Sequence, residues 1–143
     1  KAIQLHTGGM CHMDAAMTQQ GLNEMGIDDV DLIFIENVGN LVCPAEFDTG
    51  AGINITILSV PEGDDKPAKY PLVYTVSDVV LINKVDALAV FDFDKELVEK
   101  RIHTLNPKAQ IFYISAKKDE GFEPWLNYLK EKMKEWGKNR WQK

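Results

Sequence analysis

Several common sequence features are absent from this chain or scarce in it, and each argues against a class of protein. No apolar run approaches the roughly 20 residues that a membrane-spanning helix needs, and residues 1–6 lack the layout of a secretory signal. Only two cysteines occur, too few for a disulfide scaffold, which favours a reducing compartment. The 16 basic residues are outnumbered by 22 acidic ones, and the net charge of −6 argues against nucleic-acid binding. We therefore expect a cytoplasmic protein that binds neither membrane nor nucleic acid.

The phosphate-binding loop of the P-loop enzymes is also missing. The motif G-x-x-x-x-G-K-S/T occurs nowhere, and the single Gly-Lys pair, Gly137-Lys138, is followed by Asn139. That loop supplies the backbone amides and the lysine that hold nucleotide phosphates. We therefore expect that the chain alone does not hydrolyse a nucleoside triphosphate.

The composition that is present fits one folded domain over residues 1–143. With 143 residues and 45% apolar composition, the chain is long enough to bury a genuine core. Short runs rich in Ile and Val alternate with helix-like segments. This alternation predicts a three-layer α/β fold, in which helices cover both faces of a parallel sheet. The predicted strands are residues 2–5, 31–36, 53–60, 78–82 and 110–114. The second, third and fourth of these are nearly continuous apolar runs, as expected for strands buried on both faces.

Capping residues and apolar periodicity predict three helices. Asp14 is placed to cap a helix that Gly26 ends, and Asp94 is placed to cap a helix over residues 95–105. The segment 61–71 is rich in proline and charge and is predicted to be an exposed loop. The last helix carries an apolar stripe that we assign to the core, at three- and four-residue steps. The stripe consists of Phe122, Trp125, Leu126, Leu129, Met133 and Trp136.

Two polar motifs, each directly after a predicted strand, point to a guanine base. Asn83-Lys84-Val85-Asp86 follows one apolar run and Ser115-Ala116-Lys117 follows the next. Asp86 can accept hydrogen bonds from both guanine donors, the Lys84 stem can cover the ring, and the backbone N–H of Ala116 can support the base. Either motif alone is also compatible with a surface turn. Their order, each at the end of a consecutive strand, favours a site that includes Asn83, Ser115 and Lys117 as well.

A third motif, Glu36-Asn37-Val38-Gly39, indicates the phosphate end of the same crevice. Glu36 ends a predicted strand and can orient water or Mg²⁺, and Gly39 allows the backbone to approach a γ-phosphate. Most regulatory GTPases have Asp-x-x-Gly at this place. Glu-x-x-Gly resembles the metallochaperone and signal-recognition branch of the P-loop superfamily, whose members act as nucleotide-controlled dimers.

The two cysteines and one histidine suggest a metal site. Cys11 and His12 adjoin a Gly-Gly turn, and Cys43 closely follows Gly39. Thiolate and imidazole are ligands that Zn²⁺ and Ni²⁺ select, but three ligands do not fill a tetrahedral site. Two copies of the chain can complete it by sharing Cys43, which links metal binding to dimerisation. By spacing alone, a buried thiol and an incidental histidine are the alternative.

Taken together, the motifs resemble those of the HypB family of GTP-driven nickel chaperones. The similarity covers nearly the whole chain, and its segments share their order with that family. They are Cys11-His12-Met13-Asp14-Ala15, the run from Glu36 to Pro44, the run from Glu62 to Pro67, Asn83-Lys84-Val85-Asp86 and Ser115-Ala116-Lys117.

The resemblance implies a GTPase that helps deliver nickel to nickel–iron hydrogenase. It implies GTP and Mg²⁺ in the intact protein, Zn²⁺ or Ni²⁺ at Cys11, His12 and Cys43, and a homodimer. Its expected partners are a HypA-type nickel/zinc accessory protein and, indirectly, the hydrogenase large-subunit precursor. Lys66 and Lys69 are candidates to reach nucleotide across the dimer, and a solvated role for them is equally open.

The departure from the family pattern is the missing phosphate loop. In the family this loop and a first central strand precede the matched segment, and this chain starts with Lys1 rather than Met. We therefore expect residues 1–143 to be a partial G domain that lacks its first strand. Removing a central strand exposes apolar surface, which a second copy can cover.

Three alternative functions remain open at the level of sequence. The urease-accessory nickel GTPase shares the Glu-x-x-Gly motif, but its usual Cys-Pro-His is Cys43-Pro44-Ala45 here. A non-catalytic metal-binding dimerisation module would also use the two cysteines and His12. A fragment of a translation-type GTPase would leave those three residues unexplained.

Overall fold

A sheet of three parallel strands forms the frame of the molecule. The computed structural model describes residues 1–140, with side chains as far as Gly137. The strands are β1 (Ile55–Ser59), β2 (Val79–Asn83) and β3 (Gln110–Tyr113), and they lie in that order across the sheet. The register sets Ile55 opposite Val79, and Val79 opposite Gln110. All three carboxyl ends therefore meet at one edge of the sheet.

Helices make the crossovers that parallel strands require. Helices α3 (Lys66–Lys69) and α4 (Pro71–Val76) lie between β1 and β2, and α5 (Lys95–Leu105) lies between β2 and β3. Helices α1 (Ala15–Met25) and α2 (Cys43–Glu46) precede the sheet, and α6 (Phe122–Arg140) follows it. Both predicted caps are confirmed: Asp14 accepts a hydrogen bond from the Met17 N–H and Asp94 from the Leu97 N–H, each at 2.9 Å. Gly26 ends α1 at a φ of 64°, which favours glycine. Among residues 1–140, no helix is long and apolar enough to cross a membrane.

The predicted three-layer α/β arrangement is confirmed by two buried clusters, one on each face of the sheet. The first cluster joins β1 and β2 to α4 and α5, and includes Leu58, Tyr74, Val80, Ile82, Val98 and Ile102. The second joins β2 to α6, and includes Val79, Leu81, Ile114, Trp125 and Leu129. Successive residues of β2 point to opposite faces, so this central strand is buried on both sides, as its apolar run predicts.

The predictions of strands at residues 2–5 and 31–36 are wrong. Both segments run without regular structure, and Phe34 is 70% exposed. A cavity of about 470 Å³ separates residues 32–35 from β1, and its lining includes Leu32, Ile55 and Trp136. Because a strand needs a hydrogen-bonded neighbour, an apolar run that lies across a cavity from the sheet edge cannot become one.

Two smaller predictions are also corrected. The segment 61–71 is not a loop, since it contains α3 and the start of α4, with Pro67 fully buried. The stripe on α6 is only partly core: Trp125 and Leu129 are buried, whereas Leu126 is 44% exposed.

Candidate functional site

The two predicted base-reading motifs lie side by side at the carboxyl ends of β2 and β3. Asn83 ends β2, and its Oδ1 accepts hydrogen bonds from the Lys84 N–H at 2.7 Å and the Ala116 N–H at 3.2 Å. Lys84 adopts left-handed backbone angles, φ 62° and ψ 40°. Non-glycine residues hold this conformation uncommonly. Asn83 thus fixes both loops relative to each other.

A second link between these loops holds the Asp86 carboxylate. Ser115 is fully buried, and its hydroxyl donates to Asp86 Oδ1 at 2.6 Å. This hydrogen bond, helped by the nearby charges of Lys118 and Lys117, lowers the pKa of Asp86 below its ordinary value. The carboxyl group is therefore an ionised acceptor at neutral pH, as recognition of two guanine donors requires.

Gly121 closes the loop after β3, and sequence reasoning missed it. Its φ is 77°, and a Cβ added there would lie 2.1 Å from the carbonyl oxygen of Tyr113. The loop turns back so that Ser115 and Glu120 form an isolated bridge. Only glycine permits this close approach, which sets the position of Ser115 and hence of Asp86.

Lys84 and Lys117 of the predicted base site are exposed. Neither forms a salt bridge among the residues that the structure describes. The Ala116 N–H already donates to Asn83, so its predicted support of a base would be shared with that bond. The base-reading residues are therefore grouped, with the carboxylate held firmly and the lysines open to solvent.

The structure brings the two cysteines into contact. The Cys11 thiol lies 2.7 Å, sulfur to sulfur, from Cys43, although 32 residues separate them in sequence. Cys43 is the first residue of α2, and Cys11 is exposed in the turn before α1. The hydrogen bond with Cys11 and, to a smaller extent, desolvation raise the pKa of the Cys43 thiol. Both sulfurs are free thiols, and a metal ion would have to displace their protons.

The predicted third ligand, His12, lies beside the thiols without completing a metal site. Its Nδ1 is 3.9 Å from Cys11 Sγ, and its ring stacks on Phe47 with centroids 3.6 Å apart. Ligands sharing a tetrahedral Zn²⁺ are separated by about 3.8 Å for two sulfurs and about 3.6 Å for sulfur and nitrogen. The sulfur–nitrogen distance fits, whereas the two sulfurs would have to separate by about 1 Å. As the described residues stand, no three His, Cys, Asp or Glu side chains are arranged to hold a metal ion.

Two asparagines that sequence reasoning missed join the cysteine-bearing segments. The Asn40 side chain bonds to the backbone of Cys11 and Cys43, and the Asn37 side chain bonds to the backbone of Met13. Both flank Gly39 in the predicted phosphate motif. Asparagine on both sides of a glycine is a turn signal that could have drawn attention to them.

Glu36 and Gly39 lie on the exposed segment that leads to Cys43. The Glu36 side chain is exposed, and it is not delivered by a strand. A Cβ added at Gly39 would meet open space. These residues are therefore accessible to a ligand, but they are not joined by side-chain contacts to the base-reading loops.

Lys66 and Lys69 are engaged within their own segment. Lys69 pairs with Asp65, and Lys66 lies 4.0 Å from Glu62 and 5.4 Å from the centre of the Tyr70 ring. These are contacts between near neighbours on the chain, of the kind that surface helices commonly make. They agree with a solvated role.

Comparisons with known sequences agree with this set of motifs. A family model described as CobW/HypB/UreG, nucleotide-binding domain, matches residues 1–113. The hydrogenase maturation factor HypB of Escherichia coli K12 is 46% identical over 128 residues, which make up 90% of this chain and 44% of that protein. The hydrogenase/urease maturation factor HypB of Helicobacter pylori J99 is 42% identical over 138 residues, or 94% of this chain and 57% of that protein. The chain thus spans about half the length of the curated relatives it matches.

Two solved structures share the fold. The crystal structure of HypB from Archaeoglobus fulgidus aligns with a TM-score of 0.82 and 38% identity, covering 89% of this chain and 67% of that one. HypB from Helicobacter pylori in complex with nickel aligns with a TM-score of 0.86 and 42% identity, covering 93% of this chain and 64% of that one.

Proposed function

Because the chain belongs to the CobW/HypB/UreG family of nucleotide-binding domains, and within it to the HypB maturation factors, we propose that it is the base-reading and metal-binding part of a GTP-regulated nickel chaperone. The whole protein would hydrolyse GTP with Mg²⁺ and assist nickel insertion into nickel–iron hydrogenase. The proposal rests mainly on the contact between Cys11 and Cys43. Cys43 belongs to the segment that follows Glu36 and Gly39.

The base-reading role rests on the ionised Asp86 carboxylate. It offers two acceptor oxygens to the guanine N1–H and exocyclic amine, whereas adenine lacks that donor pair. Ser115 and Asn83 hold the two loops together before any ligand arrives, so little ordering is needed on binding. The exposed stem of Lys84 is available to cover the base, and Lys117 lies in the second loop.

The metal role rests on the chemistry of the thiol pair. Thiolate and imidazole suit both Ni²⁺ and Zn²⁺, and Ni²⁺ is the cargo of the proposed chaperone. Cys11, His12 and Cys43 would hold it once the sulfurs separate. A ligand from a second copy, Cys43 included, would complete the coordination and would make the active form a homodimer. The structure of Helicobacter pylori HypB in complex with nickel supports this assignment.

Nucleotide and metal are proposed to act on one segment. Glu36 would orient water or Mg²⁺ near the γ-phosphate, and the backbone at Gly39 would contact that phosphate. Cys43 lies four residues beyond Gly39, so a change in this segment alters the position of one thiol relative to the other. Loss of the γ-phosphate would thereby change nickel affinity.

We assign residues 1–143 to a partial G domain without the phosphate loop, which should be inactive as a GTPase alone. The protein would act in the cytoplasm, where its two thiols stay reduced. Its partners would be a HypA-type nickel/zinc protein and, indirectly, the hydrogenase large-subunit precursor. A role in urease maturation as well is supported by the name of the Helicobacter pylori relative.

A second candidate function is a metal-binding dimerisation module without catalysis. The contact between the two thiols favours it for this chain. Dimerisation that depends on metal but not on nucleotide would support the module, whereas GTP turnover by the whole protein would support the chaperone.

A titration with Ni²⁺ tests the metal role directly. Ni²⁺ added to the chain should produce thiolate-to-metal absorption, and Cys11→Ser or Cys43→Ser should each weaken binding about 100-fold or more because a soft ligand is lost. His12→Ala should weaken binding by a smaller factor. His6→Ala is the matched control, since His6 lies in the same segment and contacts only the Gly8 N–H. Unchanged affinity in both cysteine variants would refute the assignment.

A further inference from the structure

One side chain, Asn40, bonds to the backbone of both cysteines. Its Nδ2 donates to the carbonyl oxygen of Cys11 at 2.7 Å. Its Oδ1 accepts from the N–H groups of Val42 at 3.1 Å and Cys43 at 3.0 Å. The amide therefore uses its oxygen fully on the segment that begins α2, and one of its N–H groups on the other segment. No sulfur atom is involved in these bonds.

A neighbouring side chain, Asn37, reinforces the same junction. Its Oδ1 accepts from the Met13 N–H at 2.9 Å and from the Val38 N–H at 2.8 Å. Met13 is buried, so this bond attaches the loop to a residue that is packed inside the molecule. A turn in which the Asn40 N–H donates to the Val38 carbonyl lies between the two asparagines. Gly39 is at the centre of this turn.

The two segments depend on these side chains because the backbone does not join them directly. Within residues 1–140, no main-chain hydrogen bond connects residues 11–13 with residues 37–43. Neither segment lies in the sheet, and Cys11 is exposed. The hydrogen bonds of Asn40 to the Cys11 carbonyl and the Cys43 N–H are therefore the direct polar link between the backbones of the two cysteines.

We propose that Asn40 is a positioning residue that sets the separation of the Cys11 and Cys43 thiols. It binds neither metal nor nucleotide, and it acts through the backbone of the ligands. Because it directly follows Gly39, a movement of the phosphate motif displaces the amide and, with it, the hydrogen bonds that hold the two thiols together. This inference rests on the proposed function, since it names the device by which nucleotide state reaches the metal ligands.

Two substitutions separate the two halves of this link. Asn40→Asp keeps the acceptor oxygen for Cys43 but removes the donor to Cys11, whereas Asn40→Ala removes both. We expect Ni²⁺ affinity to fall about tenfold to a hundredfold in Asn40→Ala, the usual range for residues that orient metal ligands. The Ni²⁺ affinity of Asn40→Asp should lie between those of Asn40→Ala and the unsubstituted chain. Asn23→Ala and Asn23→Asp are matched controls, because Asn23 is exposed on α1 and bonds only to Gln19.

A readout without metal tests positioning itself. Diamide oxidises two neighbouring thiols to a disulfide and takes up the two hydrogen atoms. Formation of the disulfide lowers the mass of the intact chain by about 2 Da. The intramolecular disulfide should form about ten times more slowly in Asn40→Ala than in the unsubstituted chain, since the two thiols are then held together less often. The Asn23 variants should keep the original rate.

The outcomes distinguish the inference from the proposed function. If the cysteine variants lose Ni²⁺ while Asn40→Ala keeps both its affinity and its disulfide rate, Asn40 has no positioning role and the proposed function stands. If the unsubstituted chain binds no Ni²⁺ through its thiols, both fail. Should Asn40→Ala unfold, as a lost thermal transition would reveal, the folded Asn40→Asp variant decides by the same two measurements.

Discussion

At the scale of single residues, the proposed recognition of the base depends most on the Asp86 side chain. Its carboxylate accepts a hydrogen bond from the buried Ser115 hydroxyl, which restricts its orientation. The substitution Asp86→Asn replaces one acceptor oxygen of the carboxylate with an NH₂ group, which is a hydrogen-bond donor. Guanine then loses a charge-assisted acceptor, while xanthine, with a carbonyl in place of the amine, gains a donor.

We therefore predict that Asp86→Asn weakens guanosine binding about tenfold to a hundredfold and favours xanthosine. Chemical-shift titration with the two nucleosides measures this without phosphate contacts. Asp119→Asn is the control, since Asp119 is exposed in the adjacent turn. Equal weakening by both substitutions would mean that Asp86 does not read the base.

The pH dependence of guanosine binding follows from the same carboxyl group. A pKa lowered in the folded protein means that the carboxylate is present above the ordinary value of about 4, and is lost only as pH falls through the lowered pKa. Guanosine affinity should thus stay constant from pH 8 to pH 5. A loss of affinity over that range that follows the titration of Asp86 would contradict the prediction.

Sequence reasoning proposed residues that carry chemistry and missed the residues that the structure places in hydrogen-bonding or close contact with their loops. Asp86, Cys11 and Cys43 carry distinctive chemistry in recognisable order, whereas Asn40 and Gly121 act through backbone geometry. A hydrogen bond to a residue 29 positions away leaves no local pattern in the sequence. Only a turn signal marks such residues, and turn signals are common.

At the scale of elements, the loop after β3 depends on one glycine. Gly121→Ala would place a methyl group against the Tyr113 carbonyl at a φ that disfavours it. We expect the free energy of unfolding to fall by about 2 kcal/mol or more, as for other strained backbone positions. Urea denaturation measures the change.

Gly137 provides the opposite control for that prediction. It lies within α6 and a Cβ there meets nothing within 4 Å, so Gly137→Ala should raise stability by about 0.5–1 kcal/mol. A Gly121→Ala variant as stable as the unsubstituted chain would show that the loop after β3 can rearrange without cost.

Element prediction succeeded where the evidence was local and failed where it depended on a neighbour. The caps at Asp14 and Asp94 and the buried run of β2 are local features, and all three are confirmed. The apolar segments 2–5 and 31–36 have strand-like composition, but a strand exists only if a partner strand lies beside it. Residues 31–36 make no main-chain hydrogen bonds to β1, and residues 32–35 line a cavity beside that strand.

At the scale of the whole molecule, regular secondary structure is distributed unevenly between two parts of the chain. Residues 55–137 contain the sheet and both core clusters, whereas residues 1–54 contain only α1 and the short α2. The cavity beside β1 lies where these parts meet, and Ile57 of β1 is 57% exposed. The predicted metal ligands all belong to residues 1–54, and the predicted base-reading residues all belong to residues 55–137.

Hydrogen exchange tests this division. We predict the slowest amide exchange in β2, which is paired on both sides, and fast exchange in residues 31–36, whose amides lack sheet partners. Exchange detected by mass spectrometry of peptides resolves the two regions. Protection of residues 31–36 as strong as that of β1 would show that this segment is a strand after all.

Coupling between the nucleotide and the metal is the central claim, and the nickel affinity of the full-length protein in its two nucleotide states tests it most directly. Ni²⁺ should be titrated into protein loaded with GDP and into protein loaded with a non-hydrolysable GTP analogue. We predict affinities that differ about tenfold, within the usual range of coupling between sites. Equal affinities in the two states would contradict the coupling between Gly39 and the thiol pair.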